Sequence, residues 1–204
     1  MNKILIYPTY FPSISHFVAM ARTSGITLEI NDNFQKQTNR NRMYIYSPNG
    51  LQMLNIPVKH TKNSHQKTKD IKIETAFDWQ KQHFKSLEAA YRSSPFFEYF
   101  EDDIRVVFYK THTFLLDLNI ETMTLVSKCL RIPFIYKETT EYFHENKDLM
   151  DYRFLANGKK DSLEFEHYTQ VFGEKFGFIN NLSILDLLFN EGRNAKAYLL
   201  NQVL

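Results

Sequence analysis

The sequence predicts an α/β fold, and three observations carry the prediction. The first is the opening thirty residues. Lys3-Ile4-Leu5-Ile6 reads as a buried strand, Phe17-Val18-Ala19-Met20-Ala21 as a short helix ended by Gly25, and Ile26-Thr27-Leu28-Glu29-Ile30 as a second strand. Such a βαβ unit has a right-handed crossover that lays its strands parallel. The second is Met43-Tyr44-Ile45-Tyr46, the turn signal Ser47-Pro48-Asn49-Gly50 and an apolar run from Leu51 to Val58, so residues 43–58 read as a β-hairpin. The third is helical periodicity from Trp79 onward. Together they define a Rossmann-like core with a parallel sheet, an inserted β-hairpin and a helical C-terminal half, expected as a single domain over residues 1–204.

In chain order, the loop from Tyr7 to His16 leaves the carboxyl end of the first strand and enters a helix amino terminus. Open α/β sheets bind ligands there, and free N–H groups with the positive end of the helix dipole suit an anion. Asn31 to Gln35 is a polar loop, and Asn39-Arg40-Asn41-Arg42 leads into the hairpin. From His60 to Asp70, with Lys62, His65, Lys67 and Lys69, the chain reads as a mobile surface loop, and Ile71 to Glu74 alternates like a short strand. Asp78 can cap a helix from Trp79 to Arg92, where Trp79, His83, Leu87, Ala90 and Tyr91 recur at helical spacing; Ser93-Ser94-Pro95 ends it. Further helices are predicted over Phe97–Tyr109 and Thr113–Leu130, then a strand over Pro133–Tyr136 with Lys137-Glu138-Thr139-Thr140 at its carboxyl end. Residues 141–161 are charged and contain a turn, Asn157-Gly158-Lys159-Lys160, without an assigned element. Phe172 to Phe178 alternates with glycines. Ser183 is a good N-cap, Asp186 stands where a capping box places its acid, and Gly192 closes that helix. A last helix is expected from Ala195 to Val203.

Composition narrows the function classes. With 25 basic and 23 acidic residues the net charge is +2, which weighs against nucleic-acid binding without a local patch. The 18 Phe and 12 Tyr predict an aromatic core. A single cysteine, Cys129, excludes an internal disulfide and a cysteine-rich zinc site, and fits a reducing cytoplasm. No segment reads as a signal peptide or a membrane span, so a cytoplasmic location is expected, with any membrane contact peripheral.

Among residues able to carry chemistry, His16 can donate to a phosphate, and Arg40 and Arg42 have the fork geometry that binds phosphate or carboxylate, with Asn39 and Asn41 supplying directional amides. Trp79 and His83 share a helix face, as a packed core face also requires, and Glu138 is a candidate base. His60 and His65 lack the spacing of a zinc site, so no dedicated metal site is expected. GxGxxG, GxxxxGK[ST] and GxSxG are missing, which removes the common nicotinamide, P-loop and serine-hydrolase readings. Ser183 reads better as a cap than as a nucleophile, although a cap can also face a phosphate.

Tyr7-Pro8-Thr9-Tyr10-Phe11-Pro12 with His16-Phe17, Asn39-Arg40-Asn41-Arg42, the Trp79 to His83 helix with Tyr91 and Pro95, and Asn181-Leu182-Ser183-Ile184-Leu185-Asp186-Leu187-Leu188-Phe189 resemble the WbqC-like family. That resemblance implies a bacterial protein linked to surface-polysaccharide or O-antigen genes, with transfer of glycine or another acyl group to a sugar as the suggested activity. A more distant resemblance joins Phe11-Pro12-Ser13-Ile14-Ser15-His16 to the Phe-x-Pro-x-[His/Thr]-x-Gly-His segment of HIGH-type nucleotidyltransferases and pantothenate synthetases, with Ser15 in place of glycine. It implies that Tyr10, Pro12, Ser13, His16 and Ser183 line a nucleotide site, with ATP and magnesium as candidate cofactors. The resulting expectation is a transferase of an acyl, glycyl or nucleotidyl group acting on a sugar or sugar nucleotide. His16, His83 and Glu138 are its candidate catalytic residues, and Asn39, Arg40, Asn41, Arg42 and Trp79 would bind substrate. The alternatives are a non-catalytic sugar-nucleotide or glycan-binding module, and an assembly factor that docks through an aromatic surface.

Overall fold

The computed structural model describes residues 3–59, 65–146, 148–158 and 161–204. Four parallel strands form one sheet in the order β5-β2-β1-β6, comprising β1 (Lys3–Ile6), β2 (Gly25–Leu28), β5 (Tyr136–Glu138) and β6 (Met150–Asp151). Ile4, Leu5 and Ile6 are all buried, as expected of a central parallel strand covered on both faces. Helix α1 (Ile14–Ala21) makes the crossover, and β3 (Arg42–Ser47) and β4 (Gly50–Asn55) form a separate antiparallel hairpin. Its loop ends at Gly50, whose φ of 92° favours glycine. Helices α2 (Trp79–Tyr91), α3 (Phe97–Tyr109), α4 (Leu115–Leu130), a single-turn α5 (Gly173–Phe176), α6 (Ile184–Glu191) and α7 (Ala195–Asn201) complete the chain. The architecture is an α/β fold, and one apolar cluster joins the sheet, the hairpin and the helices. No helix among the described residues is long and apolar enough to cross a membrane.

Several elements differ from the sequence expectation. Helix α1 starts at Ile14, so Ser13 is its N-cap and His16 sits inside the first turn. The strand expected over Pro133–Tyr136 lies at Tyr136–Glu138: Pro133 has no N–H to give to a ladder, Ile135 is 82% exposed, and pairing to β2 begins at Tyr136. Ile71 to Glu74 makes isolated bridges, Ile73 to Val58 and Lys72 to Phe114, rather than a strand. The unassigned stretch supplies β6, whose two residues are too few for a periodic signal.

The loop expected over 60–70 is held in its described part. Thr68 N donates to the Asp32 carbonyl at 3.0 Å, Lys67 Nζ to the Asn31 carbonyl at 2.7 Å, and Lys69 Nζ to Asn31 Oδ1 at 2.9 Å. His60 and Lys62, together with Lys159 and Lys160 of the predicted turn, lie outside the described residues. Asp186 forms no capping box. Its carboxylate instead accepts from Tyr91 Oη at 2.8 Å, Tyr168 Oη at 2.5 Å and Gln170 Nε2 at 3.0 Å.

Candidate functional site

Two helix amino termini meet head to head beside the carboxyl end of β1. Each is entered through a residue in the left-handed region two positions before its N-cap: Phe11, φ 38°, before Ser13, and Asn181, φ 53°, before Ser183. Asn tolerates that conformation, whereas a bulky Phe is held there at a cost of about 1–2 kcal/mol. The packing of the Phe11 ring against Tyr10 and Phe108 and the hydrogen bond from its N–H to Thr122 Oγ1 at 3.3 Å hold it. The two caps pair as an antiparallel bridge, with Ile14 N donating to the Leu182 carbonyl at 3.0 Å and Ile184 N to the Pro12 carbonyl at 2.8 Å. Ser183 N donates to the Tyr44 carbonyl at 2.8 Å, which ties the hairpin to the junction. Tyr10 N donates to the Asn39 carbonyl at 3.0 Å, and Asn39 N to the Ala156 carbonyl at 2.7 Å.

A cavity of about 300 Å³ opens where these segments converge. Its polar lining residues are Ser13, Gln37, Asn39, Asn180 and Asn181. Arg42, Asp161 and Tyr44 complete them. Asp161 Oδ2 accepts from Ser15 Oγ at 2.5 Å and from Asn181 Nδ2 at 2.7 Å, and Asn181 Oδ1 accepts from Ser15 N at 3.0 Å. Ser15 Oγ lies 2.8 Å from Ser13 Oγ, which lies 3.2 Å from His16 Nδ1. His16 is fully buried; burial first, then the nearby Arg40 charge, lower its pKa to about 3, so the ring is neutral at physiological pH. Its Nε2 has no hydrogen-bond partner among the described residues.

Ser13, Asn39 and Arg42 therefore meet at one cavity, with His16 directly behind Ser13. Arg40 does not line the cavity: it is 1% exposed, donates to Asp32 Oδ2 at 2.6 Å and Thr38 Oγ1 at 3.2 Å, and lies 3.8 Å from the Tyr7 ring centre. Asn41 Nδ2 donates to Asn55 Oδ1 and to the Ile56 carbonyl, both at 3.0 Å, and so holds the hairpin base. Tyr10 Oη bonds His83 Nδ1 at 3.0 Å inside the core beside Trp79, and burial lowers the His83 pKa to about 4. Pro12 contributes its carbonyl to Ile184 N. Ser183 Oγ donates to the Phe11 carbonyl at 2.9 Å and accepts from Leu185 N at 3.4 Å. Glu138 lies apart from these residues, lining a groove of about 710 Å³ with Asp103, Lys110 and Glu121 of α3, α4 and their connection.

Sequence reasoning missed Ser15, Asp161, Asn180 and Gln37 as site residues, and used Asn181 only within a motif. Asn157-Gly158 marked the turn that brings Asp161 to the cavity, but no local pattern distinguishes that aspartate from its charged neighbours. A family model described as the WbqC-like protein family matches residues 7–160. The uncharacterized protein Rv1507c of Mycobacterium tuberculosis (strain ATCC 25618 / H37Rv) is 24% identical over 241 residues, covering 98% of both chains. No solved structure matches.

Proposed function

The chain belongs to the WbqC-like protein family, and on that premise we propose that the cavity at the joined helix termini binds a sugar or sugar nucleotide. There the protein acts as a transferase of an acyl, glycyl or nucleotidyl group in bacterial surface-polysaccharide metabolism, in the cytoplasm. The observation that carries this reading is the make-up of the lining: Gln37, Asn39, Asn180, Asn181, Arg42, Asp161 and Tyr44 around about 300 Å³. Asn180 and Asn181 are engaged with the protein at both ends of their carboxamides, whereas carboxamides such as those of Gln37 and Asn39 both donate and accept, as vicinal hydroxyls require, and an aromatic residue such as Tyr44 suits the apolar face of a sugar. Arg42 matches a phosphate or carboxylate. The volume is at the small end of ligand sites and suits one sugar ring with its substituents.

His16 acts in this reading through Ser13, which it orients, and Arg40 acts through the segment that carries Asn39 and Arg42. A binding module without turnover is the second reading. It is favoured by Asp161, the carboxylate among the lining residues, already accepting two hydrogen bonds and by the histidine behind Ser13, His16, being buried and neutral.

Thermal unfolding with nucleotide-sugars, free amino sugars and ATP, each with and without magnesium, tests the site. A ligand at a hundred times its Kd stabilises by about 2.7 kcal/mol, a shift of several degrees. The expected result is a shift with the sugar ligands that Arg42→Ala and Asn39→Ala remove. A shift that survives both substitutions moves the site elsewhere, and the absence of a shift with every ligand removes the sugar reading. A shift without group transfer to an added acceptor selects the binding module.

A further inference from the structure

Resting on the transferase reading, and specifying how its acyl form would work, we propose that Ser13 is the nucleophile, carrying the acyl group as an ester while Ser15 and Asp161 take up its proton. Ser13 is an N-cap whose hydroxyl makes no capping hydrogen bond, and it lines the cavity. Its neighbours fix the direction of the proton chain. Ser15 Oγ donates to Asp161 Oδ2 at 2.5 Å, so across its 2.8 Å contact with Ser13 it is the acceptor, and the Ser13 proton points at Ser15. The Ser13 oxygen then accepts from His16 Nδ1–H at 3.2 Å, which assigns the neutral ring its Nδ1 tautomer and leaves the unpartnered Nε2 as the bare nitrogen.

The hydroxyl thus has a route by which its proton leaves and a donor that stays with the oxygen as charge develops. Asn181 holds both ends of the route, donating to the Asp161 carboxylate and accepting from Ser15 N. The strained Phe11, two residues before Ser13, fixes the approach of the loop.

The step balances with an activated acyl donor of the thioester or acyl-phosphate class. Ser13 Oγ attacks the carbonyl carbon and forms the C–O bond, the Ser13 proton moves to Ser15 as the Ser15 proton moves to Asp161, and the C–S or C–O bond to the leaving group breaks. The proton held by Asp161 returns through Ser15 to the leaving group, thiolate or phosphate, so that the carboxylate is free again for the second step. An amine or hydroxyl of the sugar then attacks the ester, its proton enters the same chain, and Ser13 Oγ leaves and is reprotonated.

The probe is p-nitrophenyl acetate, read by p-nitrophenolate release and by mass spectrometry of the digested protein. The expected result is an acetyl group on the peptide containing Ser13, absent from Ser13→Ala, and acetylated about a hundredfold more slowly in Ser15→Ala and Asp161→Asn. Ser15→Ala keeps the reading decisive should Asp161→Asn fail to fold, and unchanged unfolding midpoints identify the variants that count. Acetylation confined to lysines, or Ser13 acetylation at an undiminished rate in the folded relay variants, overturns the proposal. The sugar reading fails separately: stabilisation by sugar ligands without Ser13 acetylation leaves the binding site intact and removes the covalent step, whereas acetylation of Ser13 without any sugar-induced shift does the reverse.

Discussion

The amino termini of α1 and α6 present the same parts in the same order and use them differently. Both have a serine N-cap, both are entered through a left-handed residue two positions earlier, and each gives its first helical N–H to the chain that leads into the other. At α6 the serine caps its own helix and bonds the Phe11 carbonyl, and the first-turn acid is saturated by Tyr91, Tyr168 and Gln170. At α1 the serine leaves its helix uncapped, faces a cavity, and belongs to a chain of hydroxyls ending on a carboxylate. The difference separates a helix end whose serine is used up in anchoring the fold from one whose serine faces a cavity. Residue type at a cap does not decide which it is; the partners brought from elsewhere do.

The contrast is sharpened most by removing the anchor. Asp186→Ala removes the acceptor shared by the Tyr91 and Tyr168 hydroxyls and the Gln170 amide, and is expected to destabilise the protein by about 3–5 kcal/mol in urea unfolding. A loss under about 1 kcal/mol would erase the distinction between the two ends. Acid acts next, and partly on the other end. His16 and His83 are neutral when folded, with pKa values near 3 and 4, but take up a proton near 6.5 when unfolded. The unfolded chain therefore binds more protons below pH 6.5, and stability falls as pH falls from there toward 4. Each histidine should remove about 2 kcal/mol between pH 7 and 5. In His16→Asn the slope of stability against pH in that window should drop by about half; an unchanged slope would mean that His16 is not buried neutral.

Smaller effects compare the caps directly. Ser183→Ala loses a cap and a buried hydrogen bond and should cost about 1.5–2 kcal/mol. Ser13→Ala loses no cap bond but leaves the buried His16 Nδ1–H without its acceptor, and should cost about 1–1.5 kcal/mol. A larger loss in Ser13→Ala than in Ser183→Ala in equilibrium denaturation would break the assignment of Ser183 to the anchoring of the fold.

Much of this frame is legible in the chain. The βαβ unit and the hairpin announce themselves by local apolar runs and turn residues, and Ser183 with Gly192 marks α6 because caps act on the next few residues. Gly192 has φ 55°, and a Cβ there would stand 2.7 Å from the Phe96 ring. The site is only half legible. His16 is in the first turn of α1, behind Ser13 rather than in the cavity. Arg40 and Arg42 are indistinguishable in sequence, and Asp32, eight residues upstream, takes Arg40 into a buried pair while Arg42 reaches the cavity.

The sequence by itself determined what nearest neighbours decide: the parallel βαβ start, the hairpin turn, the helix periods and the serine at each cap. Only the tertiary structure decided which serine, which arginine and which aspartate meet, because those meetings join segments far apart in the chain. Ser15 finds Asp161 across 146 positions, and Ser13 bridges to Ser183 only after the sheet, hairpin and helices are packed. Burial and hydrogen-bond partners, which set whether a polar group is an anchor or a reagent, are properties of that packing.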